Sequence, residues 1–557
     1  MNERGTVWQE IRQTAEIPVL ILGGGVNGVG LFRELALQGV DCLLVDKSDF
    51  VAGASSKSSR MIHGGLRYLE NGEIGLVRES LRERNLLLQN APHYVSPLKT
   101  TIPLVSWFAG LIRSPLSLLG APVGPGGRGA IIAKCGLWFY DFVTRKNRRT
   151  PKHFLSSRAR SLRAIPGLNR DVVATVTYWD AWITQAERLC IEMIRDAREA
   201  NPGCRALNYV SVADAENDTV VLADDVGGER IAVRPRLVVN ATGGWVDMAN
   251  AAMGVQTRFM GPTKGSHLVV DCPDLYEALG DRMIYYEHGD GRVCIVFRFL
   301  DKVIMGSTDI RVDDPDGVSC DDDEIEYMMA TLKGVFPDLT VAREQIVYKY
   351  CGVRPLPAAD GDVTAKISRD HQIETLEPDA GRGFPIVCLI GGKWTTFRAL
   401  AEQTADRVLS RLGLQRRTST EHIPVGGGGA FPVDEIERRQ WIERVANASG
   451  LSGERLAVLL DRYGTFAEEI ARDASSESEA PLTSLPDYTV GEIEHIVVNE
   501  SVVHLTDLIC RRSLIAILGQ ARPDVLAELA DIAARSLGWD AEREEREIAV
   551  ALQEVHV

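Results

Sequence analysis

Gly23, Gly25 and Gly28, followed by Asp46, are the residues whose types and spacing most directly imply chemistry. Gly23 permits a tight turn, Gly25 lets backbone approach a pyrophosphate, and Gly28 lets a helix pack closely on a strand. Asp46 stands where a carboxylate takes the ribose hydroxyls of an adenosine and disfavours a 2′-phosphate. Asn27 and Lys47 are assigned to the same site. The pattern Gly-x-Gly-x-x-Gly alone also suits a strand–helix turn that holds no ligand, so the surrounding elements decide. Val19 to Leu22 is a short apolar run, as a buried parallel strand requires. Val29 to Gln38 reads as a helix ending at Gly39, and Cys42 to Val45 as a second strand ending on Asp46. The helix would turn its N–H groups and positive dipole end toward phosphates. Order and spacing together predict a bound dinucleotide.

The chain has 557 residues, too many for one core, so two or three domains are expected. Its hydrophobic fraction of 45% and charged fraction of 25% are those of a globular protein. No apolar run reaches membrane-spanning length. Residues 1–17 are polar with mixed charge, unlike a signal or transit peptide, and Trp8 and Ile11 suggest a short packed leading helix. Ten cysteines are scattered without a Cys-x-x-Cys pair, which predicts reduced thiols in a cytoplasmic compartment and neither a disulfide framework nor a metal site. A net charge of −15 argues against non-specific nucleic-acid binding.

That charge is uneven. Between Arg84 and Arg163 the only acid is Asp141, and Arg145, Lys146, Arg148, Arg149 and Lys152 form one basic run. Apolar Trp107, Phe108, Leu111, Ile112, Trp138, Phe139 and Phe142 precede it. Such a segment suits either an interfacial membrane contact or a hairpin packed within the protein.

Met61 to Glu70 and Leu76 to Asn90 read as helices, the second amphipathic and stopped by Pro92. Leu207–Val212 and Thr219–Leu222 read as a strand pair, and Leu237–Asn240 as a buried strand entering Ala241-Thr242-Gly243. Alternating strands follow at His267–Val270, Val293–Phe299, Val303–Ser307 and Val347–Tyr350. Asp313 to Glu324 reads as a solvated acidic loop; it lacks the first and twelfth ligands of a calcium loop. Val387–Ile390 enters Gly391-Gly392-Lys393, and Thr396–Leu412 is helical. Gly426 to Gly429 reads as a linker, the remainder as helix-rich, and Asp473 to Asp487 as a mobile loop.

A second motif is more specific than the glycine turn. The run Ser55-Ser56-Lys57-Ser58-Ser59-Arg60-Met61-Ile62-His63-Gly64-Gly65-Leu66-Arg67-Tyr68-Leu69-Glu70 resembles the FAD-dependent, quinone-linked glycerol-3-phosphate dehydrogenase family. The resemblance continues in order through Val239–Gly243, Lys264–His267, Gly306–Asp309, Tyr350–Pro355, Ser368–Asp370 and Gly391–Thr396, and covers nearly the whole chain. It implies an α/β fold, α+β overall. A Rossmann-like FAD domain of the glutathione-reductase/amino-acid-oxidase type would comprise 17–95, 155–255 and 355–412. An antiparallel-sheet substrate domain would comprise 96–154 and 256–354, and a helical C-terminal domain 413–557. The implied reaction moves a hydride from C2 of sn-glycerol 3-phosphate to the flavin and gives dihydroxyacetone phosphate, with a quinone receiving the electrons. The expected partners are a polyol phosphate, a quinone, a peripheral membrane contact on the inner face of the cytoplasmic membrane, and a second copy in a homodimer.

The resemblance also suggests site residues. Ser55, Ser56, Ser59, His63, Gly64, Gly65, Leu66, Val212, Ala241, Thr242, Gly243, Gly391, Gly392, Lys393 and Thr395 would hold FAD, and a cation near the pyrimidine end would stabilise the reduced anionic flavin. Arg67 and Arg354, with Lys393, would clamp the substrate dianion, because guanidinium forks suit phosphate. Thr308 and Tyr350 would line the pocket. His63 and His267 are alternative acceptors for the hydroxyl proton. Thr184-Gln185-Ala186-Glu187 departs from the family's Asp-Asp-Ala-Arg type run, and Ser114 to Gly129 is longer than usual. These departures leave open a longer substrate such as a tetritol phosphate. An oxygen-using oxidase and a catalytically silent flavoprotein are further alternatives. An amine or amino-acid oxidase fits less well, since three cations suit a phosphate better than a carboxylate.

Overall fold

The computed structural model describes residues 3–66, 73–107, 136–138, 140–142, 144–145, 148–358, 370–474 and 478–557. The apolar runs become strands of two sheets. In the first, the order is Gln372–Leu376, Ile386–Ile390, Arg230–Asn240, Glu16–Leu22, Cys42–Val45 and Arg205–Leu207. All neighbours are parallel except the first pair. A hairpin of Val210–Glu216 and Thr219–Asp224 pairs with the first half of Arg230–Asn240.

Glu16–Leu22 lies at the centre of this sheet and explains its unbroken apolar sequence. Val19 and Ile21 face the core under helix Val26–Leu37, while Leu20 and Leu22 join a core that includes Trp8, Ile11, Val220 and Leu222. A strand covered on both faces has no polar side to show. Trp8 and Ile11 lie on helix Glu3–Gln13, so the expected leading helix is present and packed.

The second sheet has ten strands. Thr263–Val270 pairs with Ile346–Arg354, Lys302–Gly306 and Ile310–Arg311. The order continues through Val293–Phe299, Arg282–Glu287, Val95–Leu104, Ala174–Ile183 and Met61–Ile62. Neighbours are antiparallel except Arg282–Glu287 beside Val95–Leu104. Its two faces are also both covered. Leu268, Val270, Val296 and Val303 pack with helix Asp322–Leu332, whereas Val269, Phe297, Phe299 and Tyr348 pack with the C-terminal helices. Among the described residues no helix is long and apolar enough to cross a membrane.

Several expectations change. Met61–Ile62 is a strand opposite Trp182 and Ala181, not the start of a helix. Met61–Ile62 and Ala174–Ile183, assigned above to the dinucleotide domain, both pair in the second sheet. Long-range pairing sets sheet membership, and local periodicity carries no trace of it. The acidic stretch is not all loop: Asp321 caps helix Asp322–Leu332 and accepts the Glu324 N–H at 3.0 Å in a capping box. Gly426–Gly428, expected as a linker, is packed, and the Gly427 N–H donates to Glu192 at 3.0 Å. Residues 475–477, within the stretch expected to be mobile, lie outside the described residues, and Leu482 and Leu485 beyond them are buried.

Candidate active site

The glycine turn is built by backbone proximity. A Cβ on Gly28 would lie 1.9 Å from the Gly23 carbonyl oxygen, and one on Gly23 (φ +101°) would lie 2.7 Å from that of Ala241. The first turn of helix Val26–Leu37 therefore rests directly on two strand ends. Ser55 reaches this helix start, where its Oγ accepts the Val26 N–H at 2.9 Å and would be 3.2 Å from a Cβ on Gly25. Asp46 accepts N–H bonds from Gly24 (2.6 Å) and Ser48 (2.8 Å). Burial outweighs these bonds and pushes its carboxyl up to about 6. Val212 lies two residues beyond Val210, whose N–H donates to the Asp46 carbonyl at 2.7 Å. The Ala241 N–H donates to Leu22, the Thr242 hydroxyl donates to Asn240 Oδ1, and Gly243 (φ +63°) starts the turn Gly243–Trp245.

A second group forms where the loop after this turn meets the second sheet. Thr263, Gly265 and His267 alternate along one face of Thr263–Val270, opposite Arg354, Gly352 and Tyr350 in register. The two glycines keep that face open. Arg354 lies across Gly265, and a Cβ on Gly352 would come 2.7 Å from that of Lys57. The loop can thus lie flat on the sheet. The Tyr350 hydroxyl donates to the Ser58 carbonyl at 3.0 Å, and Ser59 Oγ shares a 2.7 Å hydrogen bond with His267 Nε2. His267 and Tyr350 stack with centroids 5.0 Å apart at 11°. Arg354 donates to Ser307 Oγ (2.9 Å), Asp309 Oδ1 (3.1 Å) and the Lys264 carbonyl (3.3 Å).

His267 is buried, and burial, with Arg354 and Arg60 nearby, lowers it to about 3. Its imidazole is neutral at neutral pH. Arg60 does not spend its charge on this ring alone: it forks onto buried Glu187 at 2.6 and 3.0 Å. Glu187 belongs to the departing Thr184–Glu187 run, so that segment carries a structural counter-ion.

Loop Gly391–Thr395 closes the other side. Gly391 and Gly392 have φ of +76° and +94°, a conformation that favours glycine. Thr395 Oγ1 accepts the His63 N–H at 3.1 Å, Lys393 Nζ donates to Ser80 at 3.3 Å, and Trp394 Nε1 donates to the Ser55 carbonyl at 2.8 Å. The Gly64 N–H is shared between the Tyr140 hydroxyl and Asp180, both tied to buried Arg84. Gly65 has φ of +74°, and Leu66 packs on Leu76, Val77 and Leu81.

A family model described as FAD dependent oxidoreductase matches residues 18–407. The chain belongs to that family. A second model, described as the C-terminal domain of alpha-glycerophosphate oxidase, matches residues 418–544. The glycerol-3-phosphate dehydrogenase of Synechocystis sp. is 33% identical over 97% of this chain and 96% of its own length. Glycerol-3-phosphate dehydrogenase 2 of Mycobacterium tuberculosis is 32% identical over 98% and 89%. A solved glycerol-3-phosphate dehydrogenase from Bacillus halodurans, complexed with FAD, shares the fold at a TM-score of 0.76 and 22% identity, over 100% of this chain and 97% of its own.

The cofactor of this FAD-dependent oxidoreductase is FAD, and the residues fit it. The Gly23–Gly28 turn and Asp46 suit its adenosine diphosphate. Asn27 Oδ1 is buried without a hydrogen-bond partner, and its Nδ2 would be 2.7 Å from a Cβ on Gly392. That unsatisfied atom lies where the two glycine loops meet. Two sequence-derived site residues have other commitments. Lys47 is exposed and donates to Asp316 at 3.0 Å, and Thr308 is buried and donates to Glu324 at 2.5 Å. Ser56 bonds the Gly53 carbonyl at 3.2 Å. Arg67, Ser368 and Arg369 lie outside the described residues. Sequence reasoning assigned no role to Asp309, which holds Arg354, or to Ser58. Both lie within the motifs that carry the family resemblance.

Asp46 accepts ribose hydroxyls best as a carboxylate, because protonation turns one of its acceptor oxygens into a donor. FAD affinity of the flavin-stripped chain should fall by up to about tenfold per unit as pH drops below 6, since one pKa unit is about 1.36 kcal/mol. Flavin-fluorescence titration of wild type and Asp46→Asn checks this: the variant should bind FAD weakly with that pH dependence gone.

Proposed function

We propose that this chain oxidises sn-glycerol 3-phosphate to dihydroxyacetone phosphate and passes the electrons to a quinone. The observation that carries the substrate is Arg354, partly exposed, fixed by Ser307 and Asp309, and separated from the His267–Tyr350 pair on the same sheet face by the Gly265–Gly352 pair. The relatives' names point to the same substrate. A guanidinium held in one orientation recognises a phosphate dianion at little entropic cost. Arg67 and Lys393 are proposed as further cations of the clamp, with Tyr350 in the pocket wall.

FAD supplies the two-electron acceptor for the hydride leaving C2. The chain itself must take the proton of the C2 hydroxyl. His267 is proposed for that step, with Ser59 as its hydrogen-bond partner. Its neutral state leaves one ring nitrogen as an acceptor, and the stack on Tyr350 fixes the ring plane. His63, held through its backbone, is proposed to position the loop Met61–Leu66 beside Thr395.

Arg354→Lys keeps a charge but loses the fork. It should raise KM for sn-glycerol 3-phosphate by roughly tenfold to a hundredfold. Anaerobic steady-state assays with a soluble quinone analogue test both substrate and acceptor. The match to an oxidase C-terminal domain favours a second reading, reduction of oxygen. Hydrogen peroxide formed stoichiometrically with product in air, and no quinone reduction in the anaerobic assay, would establish that reading instead.

Peripheral membrane contact is part of the proposal. Trp138 and Phe142 are exposed and stacked at 5.8 Å, Arg145 lies 4.6 Å over the Phe142 ring, and Trp107 is exposed. Residues 108–135, also part of the expected contact, lie outside the described residues. The protein should sediment with anionic liposomes at low salt, and Trp138→Ala with Phe142→Ala should abolish it; a wild type that stays in the supernatant contradicts the contact.

A further inference from the structure

The buried charges of the C-terminal region are not explained by the chemistry at the flavin, and one cluster reaches the cofactor's adenosine end. Asp49 follows Asp46 by one short turn and is fully buried. Arg512 forks onto it, Nη1 to Oδ2 at 2.7 Å and Nη2 to Oδ1 at 2.8 Å. Arg511 Nε donates to Oδ2 as well, and Arg511 Nη2 donates to buried Asp507 at 2.6 Å. Two guanidiniums and two carboxylates thus neutralise each other within the interior.

Both arginines lie on the π-turn Leu508–Arg512. Consecutive side chains of an α-helix point about 100° apart, since a turn takes 3.6 residues. The wider i→i+5 turn narrows that angle and lets both reach one carboxylate. Such turns are rare and recur at functional sites.

The turn they hold needs holding. Val51 is β-branched and has φ of +67°, a strained conformation that persists only where surrounding contacts fix it. Its N–H donates to the Gly24 carbonyl at 3.0 Å, and a Cβ on Gly24 would lie 2.6 Å from the Phe50 ring. On the other side Tyr209 and Val210 donate backbone N–H groups to the carbonyls of Ser48 and Asp46. The Tyr209 hydroxyl donates to Asp507 and Asn208 Nδ2 donates to Asp49, at 2.6 and 2.9 Å. The same C-terminal cluster therefore grips both strands of the adenosine end.

We infer that the helical C-terminal region is a cofactor clamp, in which Arg511 and Arg512 act through Asp49 as positioning residues that set the Asp46–Val51 turn for the adenosine ribose of FAD. The inference rests on FAD occupying the Gly23–Asp46 site.

The test titrates the full-length, flavin-stripped chain with FAD, ADP and FMN, for wild type, Arg512→Lys and Asp49→Asn. Glu469→Gln serves as control, because it breaks an ion pair, with Arg195, that has no bond to Asp49, Arg511 or Arg512. Arg512→Lys should weaken FAD and ADP by the same factor, roughly tenfold or about 1.4 kcal/mol. FMN, which lacks the adenosine, should bind as to wild type, and the control should match wild type throughout. Unchanged FAD affinity in a variant with wild-type circular dichroism overturns the clamp. So does an equal loss for FMN, or an equal effect of Glu469→Gln, since each indicates general loosening. Should Arg512→Lys give no soluble protein, Asp49→Asn decides by the same readouts. A wild type that binds no FAD would instead refute the cofactor assignment itself.

Discussion

The structure depends on how little space separates Gly23, Gly28 and Ala241. With a prospective Cβ on Gly28 only 1.9 Å from the Gly23 carbonyl, the helix start cannot move outward or tolerate a side chain without lifting from the strand ends. That contact fixes the dipole end of Val26–Leu37 at the point where Glu16–Leu22 and Arg230–Asn240 both terminate. Ser55 then joins the helix start to the loop that leads to the second sheet. One steric constraint thereby positions the phosphate site and orients the loop that reaches the chemistry.

The proposed reacting end is a seam rather than a single element. Lys57 to Ser59 lie flat on a sheet face cleared by Gly265 and Gly352, and the contacts across the seam are few and specific. Cross-strand placement of His267 opposite Tyr350 fixes the ring, and burial, aided by the charges of Arg354 and Arg60, keeps it neutral. The arginines differ in duty. Arg60 is buried against Glu187 and braces the seam, whereas Arg354 is partly open and braced by Asp309. Burial cost explains the difference: a fully buried guanidinium needs a paired carboxylate, while one proposed to bind substrate must keep access to solvent.

Much of this was legible from sequence because it is local. Gly23 to Asp46, the strand Val293–Phe299, the hairpin after Leu207 and the helix before Gly413 follow from apolar runs and breakers that lie side by side in the chain. The site motifs were legible through resemblance. Sheet membership was not, because Met61–Ile62 and Ala174–Ile183 carry no local sign of which sheet they join. The commitments of Lys47 to Asp316 and of Thr308 to Glu324 were equally hidden, since each partner comes from an acidic stretch that reads as solvated loop. The Asp49–Arg512 pair joins residues at opposite ends of the chain, and only folding reveals it.

The central claim is that the seam oxidises a phosphorylated polyol at a bound FAD. The most direct measurement is the visible absorbance of the holoenzyme's oxidised flavin, followed anaerobically on addition of sn-glycerol 3-phosphate or of unphosphorylated glycerol. Complete bleaching by the phosphate ester, and none by glycerol at equal concentration, is the predicted result. A flavin that stays oxidised with sn-glycerol 3-phosphate but bleaches with an amino acid, or that bleaches equally with glycerol, would contradict it.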